Sequence, residues 1–296
     1  MNTVVDAPVV QSAARKILLG LIGSGIGQSL TPSMQEEEAR AQGLRLHYQL
    51  IDLDVSGSSA AQLPVLLQAA RIMGFAGLNI TFPCKQAVIP LLDDLSDEAR
   101  AMGAVNTVVF QGGRAIGHNT DGSGWAWGFR RALPDADLSC VVLLGAGGAG
   151  SAIAHAVLRM GAQRLRIVDA DPARARALAQ ALCALYGDRA EGCERIDQAL
   201  QGAGGLIHAT PVGMTKLPGM PLAADLLHPG LWVSEVVYFP LETALLREAR
   251  SRGCRVVDGG TMAVGQAVGA FEHFTGRAAD ASRMEAHFRR LIAARG

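Results

Sequence analysis

The 296-residue chain predicts an α/β protein of two domains, and three observations carry that reading. Short apolar runs alternate with helical periodicities twice along the sequence. The second alternation holds a glycine-rich turn between a strand and a helix. The length is about twice the roughly 150 residues of an ordinary domain. Alternation of this kind gives parallel strands with helices on both faces, joined by right-handed crossovers.

In the first alternation, residues 17–22 form an apolar strand that ends in Gly23, and a Gly/Ser loop leads to Thr31-Pro32 and a helix over 31–42. Thr31 suits an N-cap and Pro32 the first helical turn. Residues 46–52 alternate like a strand, 60–73 have helical spacing, and 77–80 are a short strand running into Thr81-Phe82-Pro83.

In the second, residues 140–144 run straight into Gly145-Ala-Gly-Gly-Ala-Gly150, an Ala-rich helix over 151–160 and a strand over 165–168 that ends at Asp169. Strand, GxGxxG, helix, strand and acidic residue form the dinucleotide-binding arrangement. Glycines let the backbone approach a pyrophosphate, and the helix N-terminus supplies free N–H donors and a positive dipole. Gly145, Gly147, Gly148, Ala149 and Gly150 are therefore candidate cofactor residues. Asp169, 24 residues after Gly145, stands near the distance expected of a ribose partner. Strands follow at 205–209, 232–237 and 255–257, with helices at 173–186 and 241–250. Helical segments over 262–274 and 281–294 exceed what this sheet needs and are expected to return to the first domain. The expected division is a mobile tail over 1–14, a substrate and catalytic domain over 15–121 with 265–296 returning to it, and a dinucleotide-binding domain over 122–264.

Composition narrows the partners. Lys+Arg and Asp+Glu both number 27, which argues against a charge-driven role on nucleic acid or anionic membrane. Hydrophobic residues at 49% and charged residues at 18% allow two buried cores and exclude disorder. No run of about 18 apolar residues offers a membrane span. The first 14 residues lack the basic start and apolar core of a signal peptide. Cysteines at 84, 140, 183, 193 and 254 form no CxxC and no even framework, so a reducing compartment, the cytoplasm, is expected. The histidines are scattered, and no metal is expected. Only three of the basic residues are lysines, Lys16, Lys85 and Lys216, which makes a lysine inside a motif conspicuous.

The motifs then match a family. Gly20-Leu-Ile-Gly23, Ser29-Leu-Thr-Pro-Ser-Met34, Asn79-Ile-Thr-Phe-Pro-Cys-Lys85, Gly103-Ala-Val-Asn-Thr107, Gly117-His-Asn-Thr-Asp-Gly122 and the 145–150 turn occur in the order seen in shikimate dehydrogenases. Ala209-Thr-Pro-Val-Gly-Met214, Val237-Tyr-Phe-Pro240 and Gln266-Ala267 continue the resemblance, which covers almost the whole chain. It implies oxidation of a ring carbinol by hydride transfer to a nicotinamide, with Lys85 and Asp121 handling the hydroxyl proton. Which of the two accepts it stays open, and Asp121 also suits a helix N-cap. Ser29 and Thr31 correspond to hydroxyls that grip a substrate carboxylate. Two O–H donors hold an anion without desolvating a full positive charge. Asn79, Thr81, Asn106 and Gln266 match contacts to ring hydroxyls, and Tyr238 joins the substrate residues. Thr210, Pro211, Val236, Gly259 and Met262 join the cofactor residues.

Cofactor choice departs from the biosynthetic pattern. NADP-using members carry an Asn-Arg-Thr-like run where this chain has Asp169-Ala170-Asp171, and a carboxylate repels a 2′-phosphate. NAD is therefore expected, although Arg174 and Arg176 could pair with a phosphate and Arg174 could equally lie over the adenine or ribose. Thr31, Gln35, His208 and Thr261 also stand where many biosynthetic members have Ser, His, Asn and Gly. The chain is more similar to the NAD-linked quinate/shikimate branch, so the expected activity is oxidation of quinate or shikimate. An NADP-linked biosynthetic enzyme, an aminoshikimate-type enzyme and a binding protein that has kept the fold remain the alternatives. A small-molecule substrate is the expected partner, and a homodimer is left open.

Overall fold

The computed structural model describes residues 16–295, so the tail expected over 1–14 lies outside the described residues. Within them are two six-stranded sheets. In the first, β1 (Ile17–Gly23) runs parallel to both β2 (Leu46–Asp52) and β3 (Gly77–Ile80), with Ile22 opposite Ile51 and Ile80. The short β4 (Asp94–Leu95), then β5 (Thr107–Gln111) and β6 (Arg114–His118), complete the order β2-β1-β3-β5-β6-β4. Because β5 is antiparallel to β3 and β6, the sheet is mixed, and the all-parallel expectation fails here. Gly112 and Gly113, at φ +57° and +78°, form the two-residue turn that joins β5 to β6. A link that short permits only a hairpin, and its positive φ values match the twist of an antiparallel pair.

Four helices accompany this sheet: α1 (Thr31–Ala41), α2 (Leu63–Ile72), α3 (Cys84–Ala87) and α4 (Asp97–Met102). The buried Leu63, Leu67 and Ala70 recur along one face of α2 and meet Leu78, Ile80, Val105 and Val108 of the sheet and its loops. The N-cap of α1 is Leu30, not Thr31, and no side chain caps the helix. Thr31 is its first helical residue, so its hydroxyl is not used as a cap.

The helix α5 (Asp121–Ala132) leads to the second sheet, which consists of β7 (Cys140–Leu144), β8 (Arg164–Val168), β9 (Ala190–Cys193), β10 (Gly205–His208), β11 (Trp232–Glu235) and β12 (Arg255–Val257). All its ladders are parallel, in the order β12-β11-β10-β7-β8-β9. This is the doubly wound order, and it reverses between β7 and β10, where such folds open a ligand crevice. The strand β9, Ala-Glu-Gly-Cys, was not expected because it carries no apolar run. Alternation along β7 divides the core. Val141 and Leu143 meet Trp125 and Phe129 of α5 together with Ile153 and Val157 of α6 (Gly148–Arg159). Val142 and Leu144 join Leu206, Val233, Leu245 and Leu246 on the other face. The remaining helices of this half are α7 (Pro172–Tyr186), α8 (Ile196–Ala199) and α9 (Ala244–Ser251).

Two helices close the chain, α10 (Gly259–Thr275) and α11 (Ala281–Ala293). The first crosses α5 so closely that a Cβ on Gly265 would lie 2.4 Å from the Gly124 carbonyl oxygen. Both then pack on α1, as the sequence implied, through Leu30, Met34, Val264, Ala267, Met284 and Phe288. Glu38 of α1, 1% exposed, fixes this return. Burial alone would raise its carboxyl, but the Arg283 guanidinium, bound through two 2.8 Å hydrogen bonds, and the Asp280 N–H hold it below the usual range.

Candidate active site

Asp121 is the first residue of α5, so it stands where the chain passes from one sheet to the other. The N-cap position belongs to Thr120, which frees the Asp121 carboxylate from capping. Its Oδ2 accepts a hydrogen bond from Lys85 Nζ at 2.5 Å, and its Oδ1 accepts from Asn106 Nδ2 at 2.9 Å. The Asp121 side chain is 7% exposed and that of Lys85 22%, so the pair is largely desolvated with its amine end still reachable. Lys85 sits on α3, which Thr81-Phe82-Pro83 turns away from β3.

A buried network holds this pair. Asn106 Nδ2 also donates to Thr120 Oγ1 at 3.0 Å, while Asn106 Oδ1 accepts from the Thr120 N–H and the Thr107 hydroxyl, each at 2.9 Å. An amide has two donors and two lone pairs, and all four are engaged. A substrate hydroxyl reaches Asn106 only by displacing a partner. Asn79 Nδ2 donates to the Asn106 carbonyl and to Thr107 Oγ1, and Asn79 Oδ1 accepts from the Tyr48 hydroxyl at 2.7 Å. Burial pushes the Tyr48 phenol well above its ordinary range, so it stays a donor to Asn79. Asn119 closes the set by accepting from the Asp121 N–H and donating to the Ala104 carbonyl. Tyr48, Thr107, Asn119 and Thr120 were not among the residues expected from sequence. The only signal for Tyr48 was its in-facing place in the alternation of β2.

The other substrate candidates lie on the segments that follow β1, β3 and β11 and on α10, and of these Gln266 touches the network. Ser29 and Thr31 follow β1, and Ser29 Oγ accepts the Thr31 N–H at 3.3 Å. Thr81 follows β3, against Gly23 at the end of β1, where a Cβ would come 2.3 Å from Thr81 Cγ2. Gln266 lies on α10; its carbonyl accepts from the Thr120 hydroxyl, while its side-chain amide donates to the Ala263 carbonyl in its own helix. Tyr238 follows β11, 36% exposed, with its ring 6.3 Å from that of Phe288.

The glycine-rich turn lies beside the Lys85 pair: a Cβ on Gly148 would lie 4.0 Å from Lys85 Cδ. Gly145, at φ +109°, and Gly150, whose Cβ would fall 1.9 Å from the Gly145 oxygen, are glycines that the fold itself demands. Gly147 differs. Its φ of −78° is ordinary, and the nearest atom to an added Cβ is Arg174 Nη2 at 3.7 Å. Space left open by a glycine at the N-terminus of α6, which begins at Gly148 and so presents its first N–H groups into the turn, fits a pyrophosphate. Ala149 lies in the first turn of α6. Asp169 Oδ2 accepts the Ala146 N–H at 2.7 Å and Oδ1 the Asp171 N–H at 3.0 Å, leaving each oxygen a lone pair for a ribose hydroxyl. Arg174 Nη1 stands 4.0 Å from Asp169 Oδ1, whereas Arg176 pairs with Glu194. Thr210-Pro211 follow β10 beside Gly145, and Val236 follows β11 with its carbonyl against Gly259, three residues before the buried Met262. The residues present therefore fit a nicotinamide dinucleotide. Among the described residues, no group of three or more His, Cys, Asp or Glu is placed to hold a metal, and no helix is long and apolar enough to cross a membrane.

Comparison with known proteins shows the family. A family model described as the shikimate dehydrogenase substrate binding domain matches residues 21–108. Shikimate dehydrogenase (NADP(+)) of Streptomyces avermitilis is 58% identical over 93% of this chain and 95% of its own. The chain belongs to the shikimate dehydrogenase family. Another member, quinate/shikimate dehydrogenase (NAD(+)) of Corynebacterium efficiens, is 48% identical over 92% of this chain and 97% of its own. The quinate dehydrogenase of Corynebacterium glutamicum, solved in complex with NAD, superposes with a TM-score of 0.88 at 45% identity, covering 93% of this chain and all of that one. As a member of the family, the protein is an oxidoreductase that acts on a CH–OH group with a nicotinamide cofactor. Relatives of both cofactor types stand close to it.

Proposed function

We propose that the protein oxidises quinate or shikimate reversibly with NAD, giving 3-dehydroquinate or 3-dehydroshikimate. The observation that carries this reading is the contact between the two halves of the site: the Lys85–Asp121 pair lies against Gly148 at the mouth of the dinucleotide turn. When bound, the nicotinamide supplies the hydride acceptor. The ring hydroxyl loses its proton to the Lys85–Asp121 pair as the C–H hydride leaves, so the carbinol becomes a ketone and the charge stays balanced. Asn106 holds Asp121 Oδ1 and thereby keeps Oδ2 turned to Lys85. Ser29 and Thr31 hold the carboxylate through their hydroxyls. Quinate carries an extra tertiary hydroxyl beside that carboxylate, so discrimination between the two acids arises at this wall.

For the cofactor, the two free lone pairs of Asp169 accept from a ribose diol, and the same carboxylate repels a 2′-phosphate. One observation favours NADP instead, the Arg174 guanidinium poised over Gly147. Initial rates with quinate or shikimate and with NAD or NADP, in all four combinations, test both assignments. Fast NAD reduction supports the reading, and turnover with NADP alone overturns the cofactor assignment.

A further inference from the structure

His208 and Glu235 end β10 and β11, and both side chains are completely buried. Glu235 Oε1 accepts from His208 Nδ1 at 2.8 Å and from the Val236 and Val237 N–H groups at 2.8 and 3.0 Å, while Oε2 accepts from the Thr243 hydroxyl at 3.0 Å. With Nδ1 turned to a carboxylate, that nitrogen carries the proton, and Nε2 is left to accept from the Thr210 hydroxyl at 2.6 Å. Thr210 also accepts the Val212 N–H, and its methyl lies 3.0 Å from where a Cβ on Gly145 would be.

This pair lies under the point where the strand order reverses, since His208 is the register partner of Leu144, the residue before Gly145. It ties together three backbone segments that rim the crevice. Thr210 abuts the start of the glycine-rich turn. The Val236 and Val237 N–H groups point to Glu235 while their carbonyls meet Gly259 at the start of α10. A buried carboxylate with hydrogen-bonded partners is a weak source of stability, and apolar side chains of similar volume often serve as well or better. Apolar side chains would not fix the Thr210 hydroxyl or the two N–H groups.

We propose that His208 and Glu235 are positioning residues that set the Thr210 side chain, and through it the glycine-rich turn, for nicotinamide-dinucleotide binding. The proposal rests on the reading of this crevice as the cofactor site. The test is calorimetric titration of the full chain with NAD and, separately, with shikimate. His208→Asn keeps a donor near Nδ1 and loses the reach to Thr210; His208→Gln keeps a group near Nε2; Thr210→Val removes only the hydroxyl. The loss of one such hydrogen bond predicts NAD binding weakened roughly three- to tenfold in His208→Asn and Thr210→Val. It also predicts recovery in His208→Gln, unchanged shikimate binding, and a double variant no weaker than either single one. A purely structural role would weaken both ligands together. NAD affinity of Thr210→Val within twofold of the parent, or effects that multiply in the double variant, would overturn the proposal, and Thr210→Val decides alone if His208→Asn fails to fold. A separate Gly147→Val variant tests the crevice itself: NAD binding that survives there refutes the cofactor-site reading instead.

Discussion

Replacing Asp169 by Asn tests the cofactor assignment by removing its negative charge. At about 4 Å and an effective dielectric of about 20, one unit charge on a 2′-phosphate is repelled by the carboxylate by about 4 kcal/mol. Two features reduce that figure. Arg174 Nη1 lies 4.0 Å from Asp169 Oδ1 and offsets part of the charge, although its side chain is 57% exposed and counts for about 1 kcal/mol at most. Mobile ions screen what remains, with a Debye length of about 8 Å at physiological salt. A residual of roughly 1.5–3 kcal/mol predicts that kcat/KM with NAD relative to NADP falls about ten- to a hundredfold in Asp169→Asn. Asn keeps a single acceptor for the Ala146 and Asp171 N–H groups, so stability falls by about 1 kcal/mol for either cofactor. The assay is steady-state reduction of each cofactor at subsaturating concentration, followed by nicotinamide absorbance. A ratio that moves less than threefold refutes the electrostatic reasoning, as does a parent enzyme already faster with NADP. Arg174→Ala supplies the converse arm, in which a loss confined to NADP turnover assigns the 2′-phosphate to that guanidinium.

Lys85→Ala should lower kcat by about 10²–10⁴ with little change in KM for the acid, since it removes proton handling and leaves the carboxylate contacts; near-normal turnover would remove Lys85 from the chemistry. Asn106→Ala leaves Asp121 Oδ1 and the Thr120 N–H without their buried partner, so urea unfolding should show a loss of about 1–3 kcal/mol for each group. An unfolding midpoint equal to the parent's would contradict that network. Acid should destabilise the protein through His118, whose imidazole stacks on His273 at 4.0 Å. Burial pushes His118 down from 6.5 to about 4, the neighbouring His273 adds to this, and Glu98 opposes it. The unfolded chain therefore takes up the proton first, and stability held above pH 6.5 is lost as the pH falls toward 4, by roughly 2–3 kcal/mol. His118→Phe keeps the stack and should flatten that part of the urea-midpoint profile; an unchanged slope would place the acid sensitivity elsewhere.

Much of this molecule could be read from its sequence because the signals were local. The strand over 46–52, the glycine-rich turn and the acidic end of β8 are contiguous patterns, and the structure keeps their bounds within a few residues. The strands β4, β5 and β6 all escape a sequence reading: β4 is two residues long, and the β5–β6 hairpin with its antiparallel step is legible only through Gly112-Gly113 as its turn. The Lys85–Asp121 pair followed from motifs, yet what holds it did not. Asn106, Thr107, Thr120, Asn79 and Tyr48 come from separate strands and loops, and no spacing announces that one amide binds four partners. In the sequence His208 stands out only as an odd residue in a motif. Its meaning came from Glu235, 27 residues later, which a neighbouring parallel strand brings alongside it.

The glycines separate what the fold requires from what a ligand requires. Gly145, Gly150 and Gly265 cannot carry a side chain, because a positive φ or a backbone atom within 2.6 Å forbids one. Gly147 and Gly148 face neither constraint, since the nearest atoms to an added Cβ lie at 3.7 and 4.0 Å and belong to the flexible side chains of Arg174 and Lys85. Gly147 is the N-cap of α6, where glycine is itself favoured over alanine, whereas at Gly148, inside that helix, intrinsic stability would favour Ala by roughly 0.5–1 kcal/mol. Glycine there makes physical sense if another molecule fills the space in the working enzyme. Under the proposed function the two side chains that border the gap are those a dinucleotide would meet: the Arg174 guanidinium toward its ribose and pyrophosphate end, and Lys85 toward its nicotinamide. Substituting Ala at Gly148 should therefore leave the unfolding midpoint unchanged or raised while weakening NAD binding. A variant that lost stability and kept its cofactor affinity would show that the glycine serves the fold after all.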